Sequence, residues 1–82
     1  MAVVKYYASL RNVVGKKEEQ VEAASLSELL QHLSQMYEGR LARHLKTTTV
    51  LVNGKNVIHL KGRRTPLGKD DIVSLFPPLG GG

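Results

Sequence analysis

The chain opens with alternation. In residues 2–10, "AVVKYYASL", Val4, Tyr6, Ala8 and Leu10 share one face, and Val3, Lys5, Tyr7 and Ser9 share the other. A period of two with β-branched and aromatic residues predicts a strand. Residues 18–23, "EEQVEA", alternate again, with Glu19, Val21 and Ala23 opposite Glu18, Gln20 and Glu22. Gly15 lies between the two runs as a turn glycine, so together they predict a hairpin. The period then lengthens. Leu26, Leu29, Leu30, Leu33, Met36 and Tyr37 recur at helical spacing and predict a helix with one stripe on the core. Ser25 with Glu28 three residues later forms a capping box, and Gly39 supplies a left-handed stop. "RLARHL" (40–45) predicts one further helical turn. "TTVLV" (48–52) is β-rich and runs into Asn53-Gly54, a strong hairpin signal, with "NVI" (56–58) as the short return strand. The stretch from His59 to Asp71 is irregular, since Pro66 suits neither a strand nor a helix interior. "DIVSLF" (71–76) predicts the last strand, which Pro77 and Pro78 end because neither donates to a ladder.

The order is therefore β-β-α-β-β-β. Two hairpins flanking one helix, plus a final strand, predict an α+β domain with the helix laid across one face of a sheet. The first and last strands lie side by side and parallel at its centre. That arrangement is the β-grasp, or ubiquitin-like, architecture, with a mixed sheet of four to five strands. A ferredoxin-like fold needs a second long helix, which residues 59–70, with two glycines, a proline and only two leucines, do not supply. Residues 1–76 are expected to form the β-grasp domain and residues 77–82 a flexible tail.

Composition narrows the chemistry. Eighty-two residues make one domain. There is no cysteine, hence no disulfide, thiolate ligand or thiol nucleophile. No apolar run is long enough to span a bilayer and no apolar signal segment is present, so a soluble cytoplasmic protein is expected. His32, His44 and His59 show no metal-ligand spacing, and no Ser-His-Asp set is arguable. The net charge of +5 is unevenly placed. Residues 39–69 carry eight bases (Arg40, Arg43, Lys46, Lys55, Lys61, Arg63, Arg64 and Lys69) and no acid. The other 51 positions carry four basic and seven acidic residues, a sum of −3. The basic stretch reads first as a solvated face or as partners for acids elsewhere in the fold, with an anionic partner such as RNA as the alternative.

The ending, "LFPPLGGG", sets the functional question, because three glycines add no packing and lose the most backbone entropy on ordering. "YYASLRNVVGK", "VNGKNV", "TPL" and "DDIVSLFPPLGGG", in that order along essentially the whole chain, resemble the small subunits of molybdopterin synthase. The specific combination is Phe76-Pro77-Pro78, the spacer Leu79-Gly80, and Gly81-Gly82. The segment "NVIHLKGRRTPL" looks most like the archaeal members of this group of ubiquitin-like sulfur carriers and small modifiers. One departure stands out. The family's Asp-Gly-Asp before the last strand is replaced by Lys69-Asp70-Asp71, which predicts a left-handed Asp70.

The resemblance implies a sulfur carrier rather than an enzyme. An ATP-dependent adenylating partner activates the carboxylate of Gly82 as an acyl-adenylate, which is converted to a thiocarboxylate. The loaded tail then enters a larger synthase subunit and gives its sulfur to a pterin precursor. No permanent cofactor or metal is implied; ATP is used by the activating partner. The physical reading agrees with each step. A terminal carboxylate with a pKa of about 3.5 is ionised at neutral pH and resists nucleophiles until it is activated. The six residues after Phe76 reach about 20 Å when extended, and prolines keep their base extended. Glycines permit close backbone approach in a narrow site. The side-chain-free tail is thus expected to thread, with Gly81 and Gly82 at the reacting end. Outward-facing Tyr7, Leu51, Ile72 and Phe76 are expected to form an apolar docking patch beside Pro77, Pro78, Leu79 and Gly80. The resemblance itself implies that Tyr7 and Phe76 contact partners. A second reading has the same activated Gly82 joined to lysines of target proteins. A third, an RNA-binding module on the basic half, has few aromatic residues for base stacking: Tyr6, Tyr7, Tyr37 and Phe76 are the only ones.

Overall fold

The computed structural model describes residues 1–78. Strands β1 (Ala2–Tyr6), β2 (Glu18–Val21), β3 (Thr49–Val52), β4 (Lys55–Asn56) and β5 (Ile72–Phe76) form one sheet in the order β2-β1-β5-β3-β4. β1 and β5 run parallel at the centre, with Val4 opposite Val73 and Tyr6 opposite Leu75. All other pairings are antiparallel. Helix α2 (Leu26–Met36) buries Leu26, Leu29, Leu30 and Leu33. The opposing wall is Ala2, Val4 and Tyr6 of β1, Val50 and Val52 of β3, and Val73 and Leu75 of β5, all buried. This is the expected mixed β-grasp sheet with a helix across one face.

Short-range chemistry explains most boundaries. Ser25 Oγ accepts the Glu28 N–H at 3.2 Å and so caps α2. The Glu28 carboxylate reaches back to the Ala24 N–H at 3.3 Å, one residue before the position that a strict capping box uses. The end of α2 needs two left-handed residues, Glu38 (φ 52°) and Gly39 (φ 84°), where a single glycine was expected. The Gly39 N–H bonds the Ser34 carbonyl at 3.2 Å. Helix α3 (Ala42–Leu45) is the further turn expected there. The irregular stretch is tied to α2 by the Leu26 N–H to the Thr65 carbonyl and the Leu67 N–H to the Ala24 carbonyl.

Four expectations are corrected. The first strand ends at Tyr6, not Leu10. Ala8 turns at φ 52°, and Leu10–Val14 forms helix α1, closed by Gly15 at φ 78°. Leu10 is buried as expected, but through an i, i+4 pair with buried Val14 rather than through strand alternation. The second strand stops at Val21, leaving Ala23 outside it. The return strand is Lys55–Asn56 rather than 56–58, because Asn56 Oδ1 accepts the Ile58 N–H at 3.0 Å and draws Val57–His59 into a 3-10 turn. Met36, placed on the apolar stripe, is 51% exposed at the helix end.

The turns before β5 interlock. Asn53 (φ 51°) and Gly54 (φ 85°) are both left-handed, as a type I′ hairpin turn requires. The Asn53 amide donates to Asp71 Oδ1 at 2.9 Å and its oxygen accepts the Ile72 N–H at 2.8 Å. Asp71 Oδ2 accepts the Gly68 N–H at 2.7 Å. Asp70 is left-handed at φ 69°, as its substitution for glycine predicted.

Candidate functional site

Because β1 and β5 are parallel, both finish at the same end of the sheet, and the residues that leave them meet there. The Tyr7 N–H bonds the Leu75 carbonyl at 3.2 Å, which extends the ladder by one step. That brings the Tyr7 ring onto Phe76, with centroids 4.3 Å apart and planes within 11°. Such a stacked pair is worth about 0.5–1.5 kcal/mol beyond its buried area. Helix α1 adds a third layer. The Arg11 Nε–H donates to the Tyr6 carbonyl at 2.9 Å, and its guanidinium carbon lies 5.6 Å from the Tyr7 ring centroid. Arg11, Tyr7 and Phe76 therefore form a layered stack with a cation at its rim. Pro77 and Pro78 follow Phe76 directly and are half-buried.

The remaining docking candidates are only partly gathered. Leu51 points outward between buried Val50 and Val52 and is half-buried, as expected, but its partner on β5 is Ser74. Thr49 is the residue opposite Phe76. Ile72 is 37% exposed and pairs with Val3, four residues back along β5 from Phe76. Lys5 and Ser74 lie between the two ends. The aromatic stack and Leu51 thus lie nearer the tail, and Ile72 is at the far end of the same face. Leu79, Gly80, Gly81 and Gly82 lie outside the described residues.

Sequence reasoning did not single out Arg11. Its one signal was the Leu10–Val14 spacing, which admits a helix as readily as Tyr6–Leu10 admits a strand. A second cluster also escaped notice. The Tyr6 hydroxyl donates to Glu19 Oε2 at 2.6 Å, and the Tyr37 hydroxyl donates to the same oxygen. Lys16 lies 3.4 Å from Glu19 Oε1. Burial pushes the Glu19 carboxyl up, but the hydrogen bonds from Tyr37 and Tyr6 and the Lys16 charge outweigh it, and the net shift is downward. Burial, then the bond to Glu19, holds the Tyr6 phenol well above its ordinary range. The cluster pins β1, β2 and the end of α2 together, directly behind Tyr7.

Nothing in the aromatic face is a nucleophile or general base with a partner. Among the described residues no group of three or more His, Cys, Asp or Glu could hold a metal ion, and no helix is long and apolar enough to cross a membrane. A groove with Met1, Val21, Met36 and Leu67 in its walls is at the opposite end of the sheet from the aromatic stack. What the face offers is a flat aromatic platform with a positive rim at the root of a side-chain-poor tail.

A model of the ThiS family matches residues 4–82. The chain is 34% identical to small archaeal modifier protein 3 of Haloferax volcanii, over 96% of this chain and 96% of that one. Its fold matches the solution structure of small archaeal modifier protein 1 from Methanosarcina acetivorans with a TM-score of 0.86 and 25% identity, over 99% and 95% of the two chains. It also matches a chain from the complex of subunits 1 and 2 of the molybdopterin-converting factor of Helicobacter pylori, with a TM-score of 0.72 and 26% identity over 99% and 97%.

Proposed function

This chain belongs to the ThiS family, and on that premise we propose that it is a ubiquitin-like carrier whose Gly82 carboxylate is loaded with sulfur for molybdopterin synthesis. In the first step a carboxylate oxygen of Gly82 attacks the α-phosphorus of ATP in an adenylating partner, and pyrophosphate leaves. Hydrosulfide then adds to the acyl carbon and AMP leaves, producing the thiocarboxylate with release of a proton. The partner proteins supply the catalytic groups. In this reading Gly81, Gly80 and Leu79 thread the partner's channel, and Pro77 and Pro78 direct the tail outward. Tyr7 and Phe76, with Arg11 at their rim, form the platform on which partners seat, and Leu51 and Ile72 extend the contact along the sheet.

The observation that carries this reading is the stack of Tyr7 on Phe76 at the root of Pro77-Pro78. A stacked, half-exposed aromatic pair there has no core to fill, and it is placed to bury itself against whatever holds the tail. The likeness to a chain of the molybdopterin-converting factor complex supports the choice of acceptor.

A second reading is favoured by the modifier names of two relatives. Here a lysine amine of a target protein displaces AMP, and an isopeptide bond forms at Gly82. Both readings share the adenylate and differ in the acceptor. The test is to incubate the chain with the adenylating enzyme of the same organism, ATP and a sulfur source, and to measure intact mass. The expected result is one oxygen-for-sulfur exchange mapped to Gly82. Lysine-linked adducts without that exchange would replace the first reading with the second. No modification by a demonstrably active enzyme would overturn both.

A further inference from the structure

The cations of the acid-free stretch from Gly39 to Lys69 take no part in the aromatic face, and the described residues leave them without acidic partners. The ion pairs among those residues are Lys16 with Glu19 and His32 with Glu28, and neither uses this stretch. The fold nevertheless gathers it. β4 is the outermost strand on one edge of the sheet, while β2, with Glu18 and Glu19 in it and Glu22 just after it, is outermost on the other. The β2 edge thus holds its acids beside Lys16 and Lys17, while the β4 side holds cations alone. Val57–His59 packs on the 3-10 turn Gly62–Arg64; that turn and α3 both pack on α2. Lys46 and Arg63, distant in sequence, come to line one groove with Ser27, Gln31 and Ser34 of α2, and no acid lines it.

Two apolar side chains stand within this basic surface. Ile58 is 76% exposed and Leu60 39%. The Asn56 side chain fixes the turn that carries Ile58. Apolar area held out in an ordered turn is area a partner can bury.

We infer that the basic edge where α3 and the two 3-10 turns gather, centred on Lys46, Arg63 and Ile58, is a second docking surface, and that its occupant is an acidic, apolar-centred surface of the adenylating protein that takes up the tail. The naming of that protein rests on the carrier reading above. Charge complementarity selects an anionic occupant. Nucleic acid fits less well, because residues 39–69 contain no Phe, Tyr or Trp, and only the imidazoles of His44 and His59 offer a ring for a base to stack on. Isoleucine and leucine also find no complement on a phosphate backbone. The surface borders the aromatic face: α3 leads through Lys46–Thr48 into β3, whose first residue, Thr49, pairs with Phe76. A partner holding the tail reaches both. The tail supplies the chemistry, and the basic edge speeds encounter and fixes orientation.

The test uses the full chain and two exposed-site variants, K46E/R63E and I58A, each checked for an unchanged melting temperature. Amide NMR at low salt first compares binding of a synthetic glutamate–leucine peptide with binding of a single-stranded uridine oligonucleotide. The peptide is expected to shift Lys46, Ile58 and Arg63 and to lose about tenfold or more in affinity for K46E/R63E. Tighter binding of the oligonucleotide, or no binding of the peptide by the unmodified chain, overturns the inference. Adenylation kinetics with the activating enzyme follow. K46E/R63E is expected to raise KM for the carrier by about tenfold, with kcat unchanged and the salt dependence lost. An unchanged KM beside normal adenylation of the unmodified chain overturns the second surface and leaves the Gly82 chemistry standing. Failure of the unmodified chain to be adenylated sinks the Gly82 chemistry, while the peptide titration still decides the surface.

Discussion

Tyr6 and Tyr37 direct their hydroxyls at one oxygen of Glu19, and this makes stability depend on pH at both ends of the scale. The Glu19 carboxyl titrates below its ordinary value of 4.5 in the folded chain. Just below that value the unfolded chain binds more protons than the folded one, so stability falls as acid is added. The phenol of Tyr6 titrates above its ordinary 10.0. Above that value the unfolded chain loses its proton first, and stability falls again. Glu19→Gln replaces charge-assisted bonds by neutral ones and is expected to cost about 1–2 kcal/mol at pH 7 while flattening the acid limb. Urea midpoints measured from neutral pH down through 4.5 check this; parallel acid limbs for the two proteins would remove Glu19 from the account. Alternation had already set Tyr6 opposite outward-facing Tyr7 and grouped Glu19 on one face with Val21. Their meeting was not legible, because the bonding partners lie 13 and 18 residues apart and an acid on a β edge ordinarily faces water.

At the scale of elements, what was legible had a local cause and what was missed had two. The Asn53-Gly54 turn, the cap at Ser25 and the left-handed Asp70 each follow from one or two residues whose chemistry permits little else. Helix α1 was misread because Leu10 satisfies a strand period from Tyr6 and a helical spacing to Val14 equally well, and only the tertiary fold chooses. β4 is two residues long, too short for any period, and its length is set by the Asn56 side chain. The hairpin turn also does more than reverse the chain, since Asn53 clamps the start of β5 through Asp71 and Ile72. Asn53→Ala removes both bonds and places a Cβ-bearing residue without a local hydrogen-bonding group at φ 51°. It is expected to cost about 2–3 kcal/mol. Asn53→Gly keeps the backbone freedom and loses only the bonds, so thermal denaturation should place it between the two. A glycine variant as unstable as the alanine variant would assign the whole cost to the clamp.

For the molecule as a whole, the element order sufficed to put β1 beside β5, and that single adjacency brings Tyr7 to Phe76. The basic edge needed the structure, since Lys46 and Arg63 meet only once α3 and the 3-10 turn have packed on α2. On the carrier reading, the same architecture should separate stability from transfer. Every buried core side chain among the described residues lies between Ala2 and Leu75. Truncation after Pro78 removes none of them and is expected to change stability by less than about 0.5 kcal/mol while abolishing the sulfur-dependent mass gain. Phe76→Ala occupies the middle ground. Loss of its stack on Tyr7 costs the isolated chain about 1 kcal/mol. On the carrier reading a partner would lose both the aromatic surface and the ordered platform, so binding should fall by more than folding does. Calorimetric unfolding of the free chain, set against a titration with the activating enzyme, measures the two losses separately. A larger loss in unfolding than in binding would make Tyr7 and Phe76 a structural lock on β1 and β5, and would move the partner's contact away from the sheet.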